Sequence, residues 1–182
     1  MNAYEGVDTT ATAELLARAR TGEREAFTEL VEQHHAELVR IAYAITGDLD
    51  AARDSAQLAW IKAWQRLPSV REPERLRAWL IAIAANEARQ HLRAQRRRHV
   101  REIAPSPHAD LPGQSAITSV DRLDLGAALV RLEPADRGLL AMRYLAGLSA
   151  EEIGVATGLT ASGVRSRLSR LITRLREDLD HD

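Results

Sequence analysis

The chain has 182 residues, 45% of them apolar and 28% charged, with 25 Lys plus Arg against 26 Asp plus Glu. That balance fits one or two small globular domains and excludes wholesale disorder, and the absence of cysteine removes disulfide scaffolds, zinc–thiolate sites, iron–sulfur clusters and thiol catalysis. No apolar run reaches membrane-spanning length and Met1 to Thr12 is polar and acidic, so neither a transmembrane span nor a secretory signal is expected, and the expected compartment is the cytoplasm.

Aromatic residues are only 4% of the chain while Ala and Leu abound, which favours an all-α fold over a sandwich or barrel. A first block extends from about Ala13 to Gln95. Phe27, Leu30, Val31, Leu38, Ile41, Ala42 and Ile45 recur at helical spacing, with Glu29, Glu32, Glu37 and Arg40 assigned to the wet face. Gly47 is expected to end that helix and Asp48 to cap the next, which carries Ala52, Ala56, Ala59, Trp60, Ala63, Trp64 and Leu67. Pro68 stops it, and Pro73 suits the first turn of a third helix built on Leu76, Trp79, Leu80, Ile83, Ala84, Ala88 and Leu92.

From about Val100 to Ser119 the periodicity fails among Pro105, Pro107, Pro112 and Gly113, which reads as a flexible linker. Twenty such residues reach at most roughly 65 Å. A second block, about Val120 to Leu179, is expected to hold four short helices. The first carries Leu123, Leu125, Leu129 and Leu132. The second starts at Pro134, carries Leu139, Leu140, Met142 and Leu145, and ends at Gly147. Ser149 and Glu152 stand in capping-box spacing at the start of the third, and Gly158-Leu159-Thr160 turns into the last, from Ala161 to about Leu179.

Leu148 to Arg176 has the layout of a helix-turn-helix, with Ile153, Ala156, Leu159, Val164 and Leu168 pointing inward. Arg165, Ser166, Ser169 and Arg170 share the opposite face, where arginine can fork onto guanine edges and serine can bond bases or phosphates. Residues 160–176 hold Arg165, Arg167, Arg170, Arg174 and Arg176 and no acid. A second basic cluster is Arg89, Arg93, Arg96, Arg97, Arg98 and Arg101. Six uncompensated charges exceed what a helix C-terminus needs and point to phosphate binding. Trp60, Trp64 and Trp79 have the chemistry to stack on unpaired bases, but their register assigns them mainly to the core. His34 and His35 are adjacent and cannot form an i, i+4 metal pair, no nucleophile–base or phosphate-loop pattern occurs, and neither metal, cofactor nor catalysis is expected.

The strings GEREAFTELVEQH (22–34), GDLDAARDSAQLAWIKAWQRLP (47–68), REPERLRAWLIAIAANEARQHLR (71–93) and LEPADRGLLAMRYLAGLSAEEIGVATGLTASGVRSRLSRLITRLR (132–176) resemble a bacterial RNA polymerase sigma factor of the extracytoplasmic-function group of the sigma-70 family. The resemblance implies sigma domain 2 over residues 12–98, a linker over 99–119 and sigma domain 4 over 120–179. It implies a transcription initiation factor that binds core RNA polymerase and promoter DNA, and a separate anti-sigma partner, since no further sensor domain is expected after Asp182. By that analogy Asp54, Gln57, Trp60, Ile61 and Lys62 dock on polymerase. The loop Ser69 to Arg75 with Asn86, Arg89, Arg93, Arg96 and Arg97 opens and reads the minus-ten element. Arg165, Ser166, Ser169 and Arg170 read the minus-thirty-five element, with Arg143 and Glu151 near the DNA backbone. Three positions depart from the family pattern: Leu58 where a Glu is usual, Gln90 where an Asp is common, and Ser162-Gly163 ahead of Val164 where Gly-Thr is typical. The alternatives are a helix-turn-helix regulator that never meets polymerase and a sigma mimic that binds only an anti-sigma factor. The free protein is expected to be monomeric and closed, with its DNA faces covered.

Overall fold

The computed structural model describes residues 9–101, 129 and 131–180, and all regular structure among them is helical. Helix α1 (Thr9–Arg20) turns at Thr21-Gly22 into α2 (Arg24–Thr46). Gly47 ends α2 in the left-handed region, its N–H bonding the Tyr43 carbonyl at 2.8 Å, and the Asp48 carboxylate accepts from the Ala51 N–H at 2.7 Å to open α3 (Leu49–Arg66). Both punctuation marks are those expected from sequence. The α-helix ends at Arg66, ahead of Pro68 as expected, and Pro68 sits inside a 3₁₀ turn, Leu67–Ser69, where the missing N–H is no loss. Pro73 opens a second such turn, Pro73–Arg75, which feeds α4 (Leu76–Arg101). That helix continues to Arg101, into the expected linker, whose remaining positions lie outside the described residues.

Helices α2, α3 and α4 pack mutually around one apolar cluster. Ala52, Ala56, Ala59 and Ala63 form a buried seam along α3, and Ala84, Ala85 and Ala88 do the same on α4. Side chains this small let helix backbones approach closely. Trp60 and Trp64 both meet the Phe27 ring edge-on, at centroid distances of 5.6 and 4.8 Å. Glu37, assigned to the wet face, is instead buried, because its carboxylate accepts from Arg77 of α4.

The second unit has α5 (Pro134–Leu140), a π-helical turn (Ala141–Leu145), α6 (Ala150–Thr157) and α7 (Ala161–Asp180). The expected helix carrying Leu123 and Leu125 lies outside the described residues. The π turn, closed by the Ala146 N–H on the Ala141 carbonyl at 3.1 Å, inserts a residue into the helical register. It buries Met142 but turns Leu145 outward, against expectation.

The two units are packed together. The apolar cluster continues from α1–α4 into Leu139, Leu140, Met142 and Leu148, with α5 against α2 and α6 against α4. At Gly138 of α5 a Cβ would stand 3.4 Å from Ile45 Cδ1, which places α5 against the Ile45 side chain of α2. Beside it Arg77 bonds Glu37 within the first unit and donates to the Ala146 carbonyl of the second at 2.7 Å.

Candidate nucleic-acid interface

Within the second unit, Ser149 and Glu152 form the expected capping box: Ser149 Oγ accepts from the Glu152 N–H at 3.1 Å and the Glu152 carboxylate accepts from the Ser149 N–H at 2.7 Å. Gly158 ends α6 in the left-handed region. Thr160 Oγ1 then accepts from the Gly163 N–H at 3.1 Å and caps α7, so Gly163 takes part through its backbone. A feature missed in the sequence holds the turn together. A Cβ on Gly154 would lie 2.7 Å from the Leu159 carbonyl oxygen, and only glycine permits that approach of α6 to the turn. Ile153, Val164 and Leu168 are buried as expected, with Ala156 half-buried, whereas Leu159, expected to point inward, is exposed in the turn.

Arg165, Ser166, Ser169 and Arg170 emerge together on the solvent face of α7. Arg165 donates to Glu151 across the turn at 2.9 Å, and that pair is itself exposed. The backbone N–H of Glu151 at the helix start, and then Arg165, hold the Glu151 carboxyl below the usual carboxylate range. Arg143 donates to the Leu148 carbonyl at 2.9 Å, bracing the entry to α6 while its side chain remains exposed. Arg167 is turned to structural use, donating to Asp136 of α5 at 2.6 Å.

On α4, Asn86, Gln90, Arg93, Arg96 and Arg97 are exposed, and Arg96 meets Glu133 of the second unit at 3.3 Å. Arg89 is half-buried; desolvation, and then Arg93, lower its pKa. The side chains of Arg98 and Arg101 lie outside the described residues. Asn86 and Gln90, with Trp79 and Ile83, line one wall of an open-sided cavity of about 610 Å³, and Lys62, Arg66 and Arg75 add basic groups to it. The opposite wall is α6 of the second unit, through Glu151, Glu152, Val155 and Ala156, with Val155 84% exposed. The two candidate DNA faces therefore differ: the α7 face is open to solvent, and the Asn86 face looks onto the other unit. The expectation that both would be covered is not met: Asn86, Gln90, Arg93, Arg96 and Arg97 are exposed, with Asn86 and Gln90 looking across the cavity at α6.

The third candidate surface is on α3. Asp54, Gln57 and Ile61 are exposed, and Leu58 at 46% and Ile61 at 51% make an apolar patch beside Trp64. Offsets of 3, 4 and 7 put Asp54, Gln57, Leu58 and Ile61 on one helix face. Trp60 is a correction to the docking assignment, whereas Lys62 is drawn into an ion pair and stays partly exposed. Trp60 is only 7% exposed, its indole N–H donating to His35 Nδ1 at 3.2 Å, so it is a core residue and cannot dock. Lys62 is bound to Glu87 of α4, its Nζ 2.7 Å from both carboxylate oxygens. Among the described residues no group of three or more His, Asp or Glu is placed to hold a metal ion, and no helix is long and apolar enough to cross a membrane.

Residues 30–98 match the family description Sigma-70 region 2, and residues 122–175 match Sigma-70, region 4. The chain is 30% identical over 171 residues to a probable RNA polymerase sigma factor RfaY of Xanthomonas campestris pv. campestris, covering 90% of this chain and 43% of that relative. It is 32% identical over 152 residues to the ECF RNA polymerase sigma factor SigL of Mycobacterium tuberculosis, covering 81% of this chain and 85% of SigL. Among solved structures it is similar to the sigma factor RpoE in complex with the anti-sigma factor NepR from Bartonella quintana, with 27% identity, a TM-score of 0.70, and coverage of 86% of this chain and 98% of that one.

Proposed function

Because the chain belongs to the sigma-70 family, in its extracytoplasmic-function group, we propose that it binds core RNA polymerase and directs it to a defined set of promoters. Sigma factors are initiation factors: polymerase carries out phosphoryl transfer, and this chain supplies recognition and strand opening. The observation that carries the reading is the succession of region 2 and region 4 in one chain, each with an exposed face of suitable chemistry.

In this reading Asp54, Gln57, Leu58 and Ile61 dock on polymerase, since they are the exposed residues of one α3 face. Asn86, Arg89, Arg93, Arg96 and Arg97, with the 69–75 loop, contact the minus-ten element. Arg165, Ser166, Ser169 and Arg170 read the minus-thirty-five element, with Arg143 and Glu151 at its backbone. Sigma domains 2 and 4 are assigned to residues 12–98 and 120–179, joined by a linker over 99–119, and the compartment is the cytoplasm, where polymerase is found. An anti-sigma factor is the proposed regulator, as NepR is for the structurally similar RpoE.

The contact between the units supports a closed free state. The promoter elements are about two helical turns apart, roughly 70 Å, whereas a compact body of this length has a radius of gyration of about 16 Å. Engaging both elements requires the units to separate. Run-off transcription with purified core polymerase, with and without the protein, on genomic fragments of its host tests the reading. Discrete new transcripts sharing upstream elements are expected; the absence of both transcripts and core binding would refute it.

A further inference from the structure

Glu87 is the buried acid of α4, 4% exposed, and both its oxygens accept from Lys62 Nζ of α3 at 2.7 Å. A carboxylate this deep is costly unless paired, and a neutral apolar pair of the same size would serve the fold at least as well. The surrounding helices explain what the ion pair adds. Where α3 and α4 pack, both bring alanines to their buried faces: Ala56, Ala59 and Ala63 on one, Ala84, Ala85 and Ala88 on the other. The same helices bury Trp60, Leu76, Leu80 and Ile81, and through this apolar packing the Lys62–Glu87 pair runs as a charged contact from one helix to the other. That pair joins α3 directly to α4.

The consequences fall on neighbouring positions. Successive residues on a helix stand 100° apart, so holding Glu87 inward turns Asn86 to the cavity wall, with Gln90 one turn on. Holding Lys62 sideways turns Ile61 and Leu58 to solvent. We propose that Glu87, through Lys62, is a positioning residue that ties the polymerase-docking face of α3 to the minus-ten face of α4, so that promoter opening depends on the bond. The inference rests on the roles assigned above to those two faces.

The test uses the full chain with core polymerase, on a promoter recovered by run-off transcription, presented as duplex and with the minus-ten region already mismatched. The variants are Glu87→Gln, Lys62→Met, and the reciprocal exchange of Lys62→Glu with Glu87→Lys. Thermal midpoint and core affinity are measured alongside. Expected is a slowing of open-complex formation on duplex of about tenfold, the scale of one charged hydrogen bond. With polymerase saturating, so that any change in core affinity is separated, the rate on mismatched DNA should stay within about twofold, and the reciprocal exchange should recover much of the duplex rate. Equal losses on both templates that follow the thermal midpoint would overturn the proposal in favour of simple support of the fold, as would no loss at all. Should the unaltered protein itself fail to activate polymerase, the sigma reading fails first and takes this inference with it.

Discussion

The clasp at Arg77 offers the sharpest test of how the units are held. Arg77 alone is a poor target, because its removal leaves Glu37 buried without the guanidinium, at a cost of about 3–5 kcal/mol to the first unit. Replacing both, Arg77→Met with Glu37→Gln, removes the charges together and keeps the volumes. What is then lost between the units is the hydrogen bond from Arg77 to the Ala146 carbonyl, 2.7 Å long. A charge-assisted bond of this kind contributes about 1.5–3 kcal/mol, so the open population should rise roughly tenfold to a hundredfold. The close contact of Gly138 with Ile45 remains, so some closed protein persists.

The chain has no cysteine of its own, so dyes can be placed uniquely through Arg53→Cys and Arg174→Cys, both exposed positions on different units. Energy transfer between them should fall in the double variant while the helical signal is unchanged. Single-stranded minus-ten DNA should bind the double variant more tightly than it binds the unaltered protein. Unchanged transfer together with a lowered thermal midpoint would refute the reasoning: the pair would then belong to the core of the first unit and not to the clasp.

Gly154→Ala forces a Cβ to within 2.7 Å of the Leu159 carbonyl and should destabilise the helix-turn-helix by about 1–3 kcal/mol, read as a lower denaturant midpoint. Arg165→Glu with Arg170→Glu should abolish promoter-dependent transcription and leave anti-sigma capture intact; retained transcription would remove these residues from recognition. Ile61→Asp, at an exposed position, should weaken core binding about tenfold with no change in thermal midpoint, measured by titration of labelled protein with core. Burial lowers the pKa of His34 below the usual 6.5, Glu37 opposing this and Arg77 adding to it. The unfolded chain therefore binds the extra proton first, so stability is full above about pH 6.5 and declines as the pH falls below it. His34→Gln should flatten that acid limb in melts taken from pH 7.5 to 5.5.

What could be read in advance was what local spacing encodes. The α2 stripe, the Gly47 stop, the Asp48 cap and the Ser149–Glu152 box each involve residues within a turn or two of one another, and each stands where expected. The errors come from partners far apart in the chain. Glu37 looks solvated until Arg77, forty residues on, is brought beside it. Lys62 looks like a surface cation until α4 delivers Glu87. Trp60 has the chemistry to dock, but its indole N–H is directed to His35 by the packing of α3 on α2. Gly154 carried no signal, because its need for a missing Cβ is set by a carbonyl five residues ahead in a turn whose closeness periodicity cannot measure.

The difference in exposure among the three faces implies an order of events. In the closed protein the Leu58–Ile61 patch and the Arg165–Arg170 face are open, while Asn86 faces α6 across the cavity. Polymerase can therefore engage α3 without any rearrangement. The side chains proposed to contact the minus-ten strand are exposed, but α6 stands across the cavity from Asn86 and Gln90 and narrows the approach to them. A ligand shifts such an equilibrium only by its preference for one state. Polymerase favours the open state only if it also holds the second unit at a distance that the closed form cannot reach. Moving the population from about one open molecule in a hundred to ninety-nine requires roughly 5.5 kcal/mol of that preference. At one open molecule in a hundred the closed form is favoured by about 2.7 kcal/mol, a gap that the Arg77 bond, at about 1.5–3 kcal/mol, is large enough to account for. An inhibitor that bridges both units of the closed form draws on the same balance with opposite sign. Loosening the clasp tenfold should thus raise polymerase binding about ninefold but weaken such an inhibitor by only about 10%, because the closed fraction falls only from about 0.99 to about 0.91.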